Sequence, residues 1–191
     1  TRLGFAPRVV LTDLYPNRAA FASATERANV PVVAEPEPVD ARAVPARLEG
    51  VRTLFNAFHH FKPTNAAQIL SDAAAARTPI LIVEGTERSP AAVIGMLLFV
   101  PLFVLLLTPF VRPFSIGRLL FTYLIPIAPV LILFDGIVSC LRSYTLAELR
   151  ELCEGLETDT YRFHIGVKQS RGQRLTYLLG CDGPLPKWVA L

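Results

Sequence analysis

One uncharged block constrains this chain more than any other feature. "AAVIGMLLFVPLFVLLLTPFV", residues 91–111, contains no Asp, Glu, Lys or Arg, and about 20 apolar residues are what a helix needs to cross the hydrocarbon core of a bilayer. A second uncharged run, "LLFTYLIPIAPVLILF", residues 119–134, follows after "RPFSIGR", a compact turn with an arginine at each end. This second run is shorter, and Pro126 and Pro129 predict kinks in it. The sequence on both sides reads as one folded domain, so a block that enters a membrane has to come back out. Residues 91–134 are therefore expected to form an apolar, membrane-associated helical hairpin inserted into a domain built from residues 1–90 and 135–191. The alternative is that the two helices pack on the sheet or on a second subunit, which would require protein on every side of each. The loop arginines are too few for the positive-inside rule to orient the hairpin.

The block accounts for a composition that is otherwise ordinary. Hydrophobic residues make up 52% of the 191, charged residues 18%, and mean hydropathy is +0.42, on the apolar side for a soluble protein. That length allows one domain with an appendage rather than two full domains. The net charge of +3 is dispersed, without an aromatic-interleaved basic stripe, which argues against nucleic-acid binding. Three cysteines, Cys140, Cys153 and Cys181, lack metal-ligand spacing, so no metal site is expected and buried thiols in a reducing compartment are. No nucleophile elbow or phosphate-binding lysine loop occurs.

Outside the block, strands alternate with helices. "VVLTDLYPN", from Val9 to Asn17, reads as a buried strand ending in Asp13, and "PNRAAFASATERAN" as a helix with Asn17 as its cap. "VPVV" from Val30 is a short strand stopped by prolines, followed by a loop carrying Asp40. "VRTLFNAF", from Val51 to Phe58, is another strand, "PTNAAQILSDAAAAR" a helix capped near Thr64, and "PILIVEG", from Pro79 to Gly85, a strand ending in Glu84. Such alternation is the mark of a parallel sheet covered on both faces. Thr145 with Glu148 forms a capping box opening a helix with Leu146, Leu149, Leu152 and Leu156 on its apolar face. "TYRFHIGV", a turn at "KQSRGQR" and "LTYLLG" then predict an antiparallel hairpin.

Taken in order, strand-end Asp13, loop Asp40, "FNAFHHF", "ILIVEGTERS" and the terminal hairpin resemble a class I S-adenosylmethionine-dependent methyltransferase. The resemblance covers nearly everything outside the apolar block. It implies a Rossmann-like α/β sheet, mostly parallel with an antiparallel C-terminal hairpin, and S-adenosylmethionine as cofactor. In that family an acid ending the second strand holds the ribose hydroxyls, a position matched by Asp13 with Leu14 beside it; a carboxylate can accept two charge-assisted hydrogen bonds at once. An acid after the third strand meets the adenine, its neighbouring amide a ring nitrogen, which corresponds to Asp40 and Ala41. "FNAFHHF" would lie beneath the cofactor, bringing Asn56 with it. One element departs from the pattern. The family's first strand and glycine-rich loop have no counterpart, and Gly4 in "TRLGFAP" is not that loop. The sheet is therefore expected to lack its first strand, and the chain to be an inactive fragment that binds cofactor poorly.

Candidate catalytic groups are His59, His60 and Glu84. Adjacent histidines on a strand face opposite sides, so one of them is expected to line the cleft. A histidine there can be a general base, since its ordinary pKa lies near neutrality, or can be structural, because methyl transfer needs mainly in-line positioning. Glu84 and Glu87 either orient substrate or are solvated acids opening a helix. Tyr15 and Asn56 are expected near the cleft and His164 in solvent. The function expected is methyl transfer to a lipophilic small molecule delivered from the membrane, on its cytoplasmic side. A noncatalytic membrane or assembly module is the alternative. A nicotinamide dehydrogenase half-site also places an acid at a strand end, but the closing hairpin argues against it.

Overall fold

The computed structural model describes residues 7–170 and 173–183; Gly4 and the tip of the "KQSRGQR" turn lie outside them. Val9–Leu11 (β1) and Val32–Ala34 (β2) pair in parallel, with Arg18–Arg27 (α1) between them. Asn17 caps α1, its side-chain oxygen accepting the Ala20 N–H at 3.0 Å, as expected for an Asn ahead of an Ala-rich run. A second sheet contains Arg52–Phe55 (β3), Ile80–Glu84 (β4), Tyr161–Ser170 (β5) and Gln173–Asp182 (β6) in the order β3-β4-β6-β5. β3 and β4 are parallel, and β6 runs antiparallel to both β4 and β5. The predicted alternation and closing hairpin are thus present, but the strands form two sheets instead of one. Among the described residues, the outer edges of β1 and β3 carry no partner strand.

The core lies entirely on the second sheet. Pro63–Ala75 (α2) buries Ala66, Ile69, Leu70 and Ala73 against Ile80, Ile82 and Leu178, and Leu146–Cys153 (α6) adds Leu149 and Cys153. Each fully buried Leu or Ile contributes about 1.5–3 kcal/mol relative to exposure. Between residues 7 and 57 only Val39 is buried, so the β1–α1–β2 unit has no comparable interior.

Local chemistry moves three predicted boundaries. The strand expected from Val51 to Phe58 stops at Phe55 because Asn56 adopts φ 47°, a left-handed conformation that Asn tolerates better than most residues. Phe58–His60 then form a 3₁₀ turn, so His59 and His60 are not strand neighbours on opposite faces; their ring centroids lie 4.2 Å apart. α2 begins at Pro63, with Lys62 as a cap that donates no side-chain bond, and not near Thr64; proline is preorganised for the first helical position. The Thr145 capping box is formed in both directions.

The apolar block is a helical hairpin. Pro90–Leu107 (α3), capped by Ser89, has no buried residue and continues as a 3₁₀ turn through Phe110. The chain returns through Ile116–Leu119 (α4), a π-helical turn over Leu120–Leu124 and, after a bend of 78°, Ile127–Arg142 (α5), which packs on α3. Pro126 sits at that bend, where one of the two expected kinks falls; Pro129 lies inside the first turn of α5.

Candidate functional site

The carboxyl ends of β1, β2, β3 and β4 carry most of the candidate residues. Asp13 follows β1 and is exposed; its Oδ1 accepts the Tyr15 N–H at 2.8 Å, and its backbone carbonyl accepts the Val39 N–H at 2.9 Å. That second bond fastens the loop after β2 to the end of β1, and so brings Asp40 and Ala41 near Asp13. Leu14 and Tyr15 beside it are exposed at 41% and 83%.

Asp40 is already committed. Its carboxylate takes a forked pair from Arg42, Nε to Oδ1 at 3.0 Å and Nη2 to Oδ2 at 2.6 Å, and Oδ1 also accepts the Arg42 N–H at 2.9 Å. The Arg42 side-chain bonds hold the Asp40 carboxyl below its ordinary pKa. A carboxylate forked by guanidinium in this way has little capacity left for an amino group. Arg42 is the residue that the sequence reading missed, and its position two residues after the acid was the available signal.

Beyond β3, Asn56 does not face a cleft alone. Its Oδ1 accepts the Gly85 N–H at 2.6 Å, tying the exits of β3 and β4 together. A Cβ on Gly85 would lie 3.3 Å from that oxygen, tighter than an ordinary contact, so a side chain there would press on this tie.

Glu84 and His59 form the one buried polar pair at this edge. Glu84 is 8% exposed and His59 4%, which removes the alternative of a solvated acid for Glu84. Glu84 Oε1 accepts the backbone N–H groups of Ala57 at 3.1 Å and Phe58 at 2.7 Å, and Oε2 lies 2.6 Å from His59 Nδ1. An ionised carboxylate can only accept, so against it Nδ1 is the donor of the pair. Nε2 is buried and has no hydrogen-bond partner. A desolvated polar atom without a partner costs stability. His60 is exposed and makes no such pair; Glu87 instead binds Ser89 Oγ at 2.7 Å. Tyr144, another residue that sequence reasoning missed, donates to the Phe61 carbonyl at 2.7 Å and packs its ring 5.5 Å from Phe58, fixing the turn that carries His59.

His164 is half-buried rather than in solvent, with Nε2 also unpartnered, but it lies on β5, far along the sheet order from β3. The three cysteines are free and buried, and burial pushes the Cys153 thiol up to about 12. They are inert packing groups. No cluster of His, Cys, Asp and Glu among the described residues could hold a metal.

No protein-family model and no curated protein matches the chain. Solved structures similar to it include a pericyclic reaction enzyme, at TM-score 0.48 and 14% identity over 94% of this chain, and LepI in complex with SAM, at 0.49 and 13% over the same share. The pyocyanin biosynthetic protein PhzM is similar at TM-score 0.44 and 14% identity over 90%. The chain spans 38% of the length of the first two and 42% of the third. At such identities the likenesses assign neither activity nor ligand to this chain.

Proposed function

We propose that the protein is an S-adenosylmethionine-dependent methyltransferase acting on a lipophilic, membrane-delivered acceptor, with its hairpin of residues 91–134 in a membrane and the α/β domain on the cytoplasmic side. The observation that carries the reading is the His59–Glu84 pair, an imidazole bonded through Nδ1 to a buried carboxylate with its other nitrogen unpartnered, at the edge where the parallel strands end. Open sheets place ligands at that edge.

The residues present fit the cofactor in part. Asp13, exposed and with Oδ2 free of partners among the described contacts, suits a ribose diol, and the Ala41 amide suits a ring nitrogen. Asp40 fits only if Arg42 lets go, so its assignment to the adenine is the weakest of the set. Asn56 acts by holding β3 to β4. When bound, S-adenosylmethionine supplies a methyl group on a sulfonium that departs as a thioether. His59 would be the residue to take a proton from an acceptor, once its buried Nε2 is uncovered, and Glu84 would hold the ring through Nδ1. The exposed apolar hairpin beside the domain is what supports a lipophilic acceptor. The unpartnered edges of β1 and β3 support a further strand between them, supplied from outside the described residues, that would make one sheet of two.

A second reading, a noncatalytic membrane or assembly module, is favoured by the 4% exposure of His59, since a buried pair can serve packing alone. Calorimetric titration of S-adenosylmethionine into the full-length protein separates the two. Binding that weakens about tenfold or more in Asp13→Ala, as expected for a lost charge-assisted bond, supports the enzyme. So does His59→Ala that keeps binding but loses methyl transfer. No binding in the wild type, or binding indifferent to Asp13→Ala, overturns it.

A further inference from the structure

We propose that the α3–α5 hairpin crosses the bilayer completely, so that its Arg112–Arg118 tip lies in the headgroup layer opposite the α/β domain. This rests on the membrane reading above and settles depth, which composition leaves open. The occupant of the exposed surface is a phospholipid bilayer, and four observations favour it over a second copy of the chain.

The first is exposure combined with composition. The stretch Pro90–Phe110 has 21 residues, a mean hydropathy of 2.7 and only 6% of its most apolar window buried, whereas a core helix of a soluble protein with this composition would be covered. Leu98, Phe103, Leu106 and Phe110 on α3 and its extension, and Leu131 and Phe134 on α5, are all more than half exposed. Apolar surface on all sides suits lipid better than a single protein interface does.

The second is length. At 1.5 Å per residue α3 with its 3₁₀ extension is about 30 Å long, enough for most of the hydrocarbon core to be crossed by the part beyond Met96.

The third is where the charges fall. Asp135 is exposed and adjoins Gly136, whose Cα faces Met96 so closely that a Cβ would lie 3.1 Å from its sulfur. Asp135 is therefore level with Met96, roughly 9 Å above the start of α3, near the domain end. Arg112 and Arg118 are at the other end, Arg118 Nη1 donating to the Val111 carbonyl at 2.8 Å. Between these levels α3 runs about 21 Å without charge. The long side chains of Arg112 and Arg118 extend the reach at the tip end. A hairpin stopping in one leaflet, about 15 Å deep, would leave two guanidinium groups near the bilayer centre, at about 2.5–3.5 kcal/mol each on insertion scales.

The fourth is shape. The 78° bend turns Ile116–Leu124 nearly crosswise to α5, so the return path is broken: this segment lies below the tip, and residues 127–134 of α5, about 12 Å long, complete it to the level of Asp135. Gly136 against Met96 is the small-residue contact by which helices approach in lipid, and the Thr108 and Tyr123 hydroxyls both donate to α3 carbonyls, leaving neither exposed to hydrocarbon as a bare donor. The foot of α5 packs against the His59 turn, which puts the His59–Glu84 pair level with the near headgroups.

The test is sidedness of the full chain in sealed phosphatidylcholine–phosphatidylglycerol vesicles. The native cysteines are buried, so Gly117→Cys, where a Cβ has no neighbour nearer than 3.8 Å, reports the tip, and Lys168→Cys on β5 reports the domain. In vesicles where the domain marker reacts from one side only with a membrane-impermeant maleimide, the tip should react only from the other. Tip labelling from the domain side, or labelling from neither side until detergent is added, overturns the crossing. Failure of the protein to float with the vesicles, with a defined dimer in buffer, overturns the membrane reading beneath it.

Discussion

At the scale of single residues, the site is held by carboxylates that each satisfy several donors. Glu84 accepts two backbone N–H groups and the His59 ring, so it joins the end of β4 to the turn after β3. Glu84→Gln keeps one acceptor oxygen but offers His59 Nδ1 an amide N–H, forcing either a lost bond or the other tautomer. Urea unfolding should show a loss of about 1–3 kcal/mol, the cost of an unsatisfied buried group. Asp40 is governed differently, by Arg42, whose side-chain bonds come first among the causes of its lowered pKa. Because the folded value lies below the unfolded one, the pair's contribution is present above the ordinary carboxylate range and fades as pH falls through the depressed folded value. Arg42→Ala should return the Asp40 midpoint upward in a carboxyl carbon NMR titration; an unmoved midpoint would show that the fork is absent in solution. The Asp–x–Arg spacing was visible in the sequence. Its consequence, a carboxylate occupied by its own loop, was not, because it depends on a turn that bends the two side chains together.

At the scale of elements, ends were more legible than extents. The Asn17 cap and the Thr145–Glu148 box were written in residues three apart, and local hydrogen bonds need nothing else to form. Thr145→Ala should lower stability by about 1 kcal/mol in thermal or urea unfolding, and Glu148→Ala by a similar or smaller amount. Glu148 sits below its ordinary pKa chiefly through the Thr145 backbone bond. Its share of stability is present above about 4.3, the unfolded value, and is lost as pH falls through the folded one. The strand after Val51 was read too long because the 3₁₀ turn at Phe58 depends on Glu84, 26 residues away, and on the left-handed Asn56. Alternating apolar residues cannot announce such a turn.

At the scale of the whole molecule, the chain divides into a well-packed second sheet with α2 and α6, a thin β1–α1–β2 unit and the hairpin. The hairpin meets the domain at its foot, through the Ser143 hydroxyl, which donates to Thr86 Oγ1 at 2.8 Å, and through the Tyr144 hydroxyl. Both lie outside residues 91–134. Replacing that segment by a short Gly–Ser linker should therefore leave a cooperative unfolding transition and a far-UV spectrum reduced only in helix. The same deletion should release the protein from a lipid fraction that resists high-salt washing. Loss of the transition would show that the hairpin belongs to the core.

The sequence by itself determined the elements and their order: periodic apolar runs, caps and uncharged length act over a few residues, where chain connectivity alone brings the partners together. It also marked the hairpin, since twenty uncharged residues leave few environments to choose from. Only the tertiary structure decided that the strands make two sheets, that Glu84 is buried against His59, and that Arg42 holds Asp40. Each of these is a contact or a missing contact whose energy depends on where distant segments, or the turns between them, bring donors and acceptors to within about 3 Å, and spacing along the chain does not encode that distance.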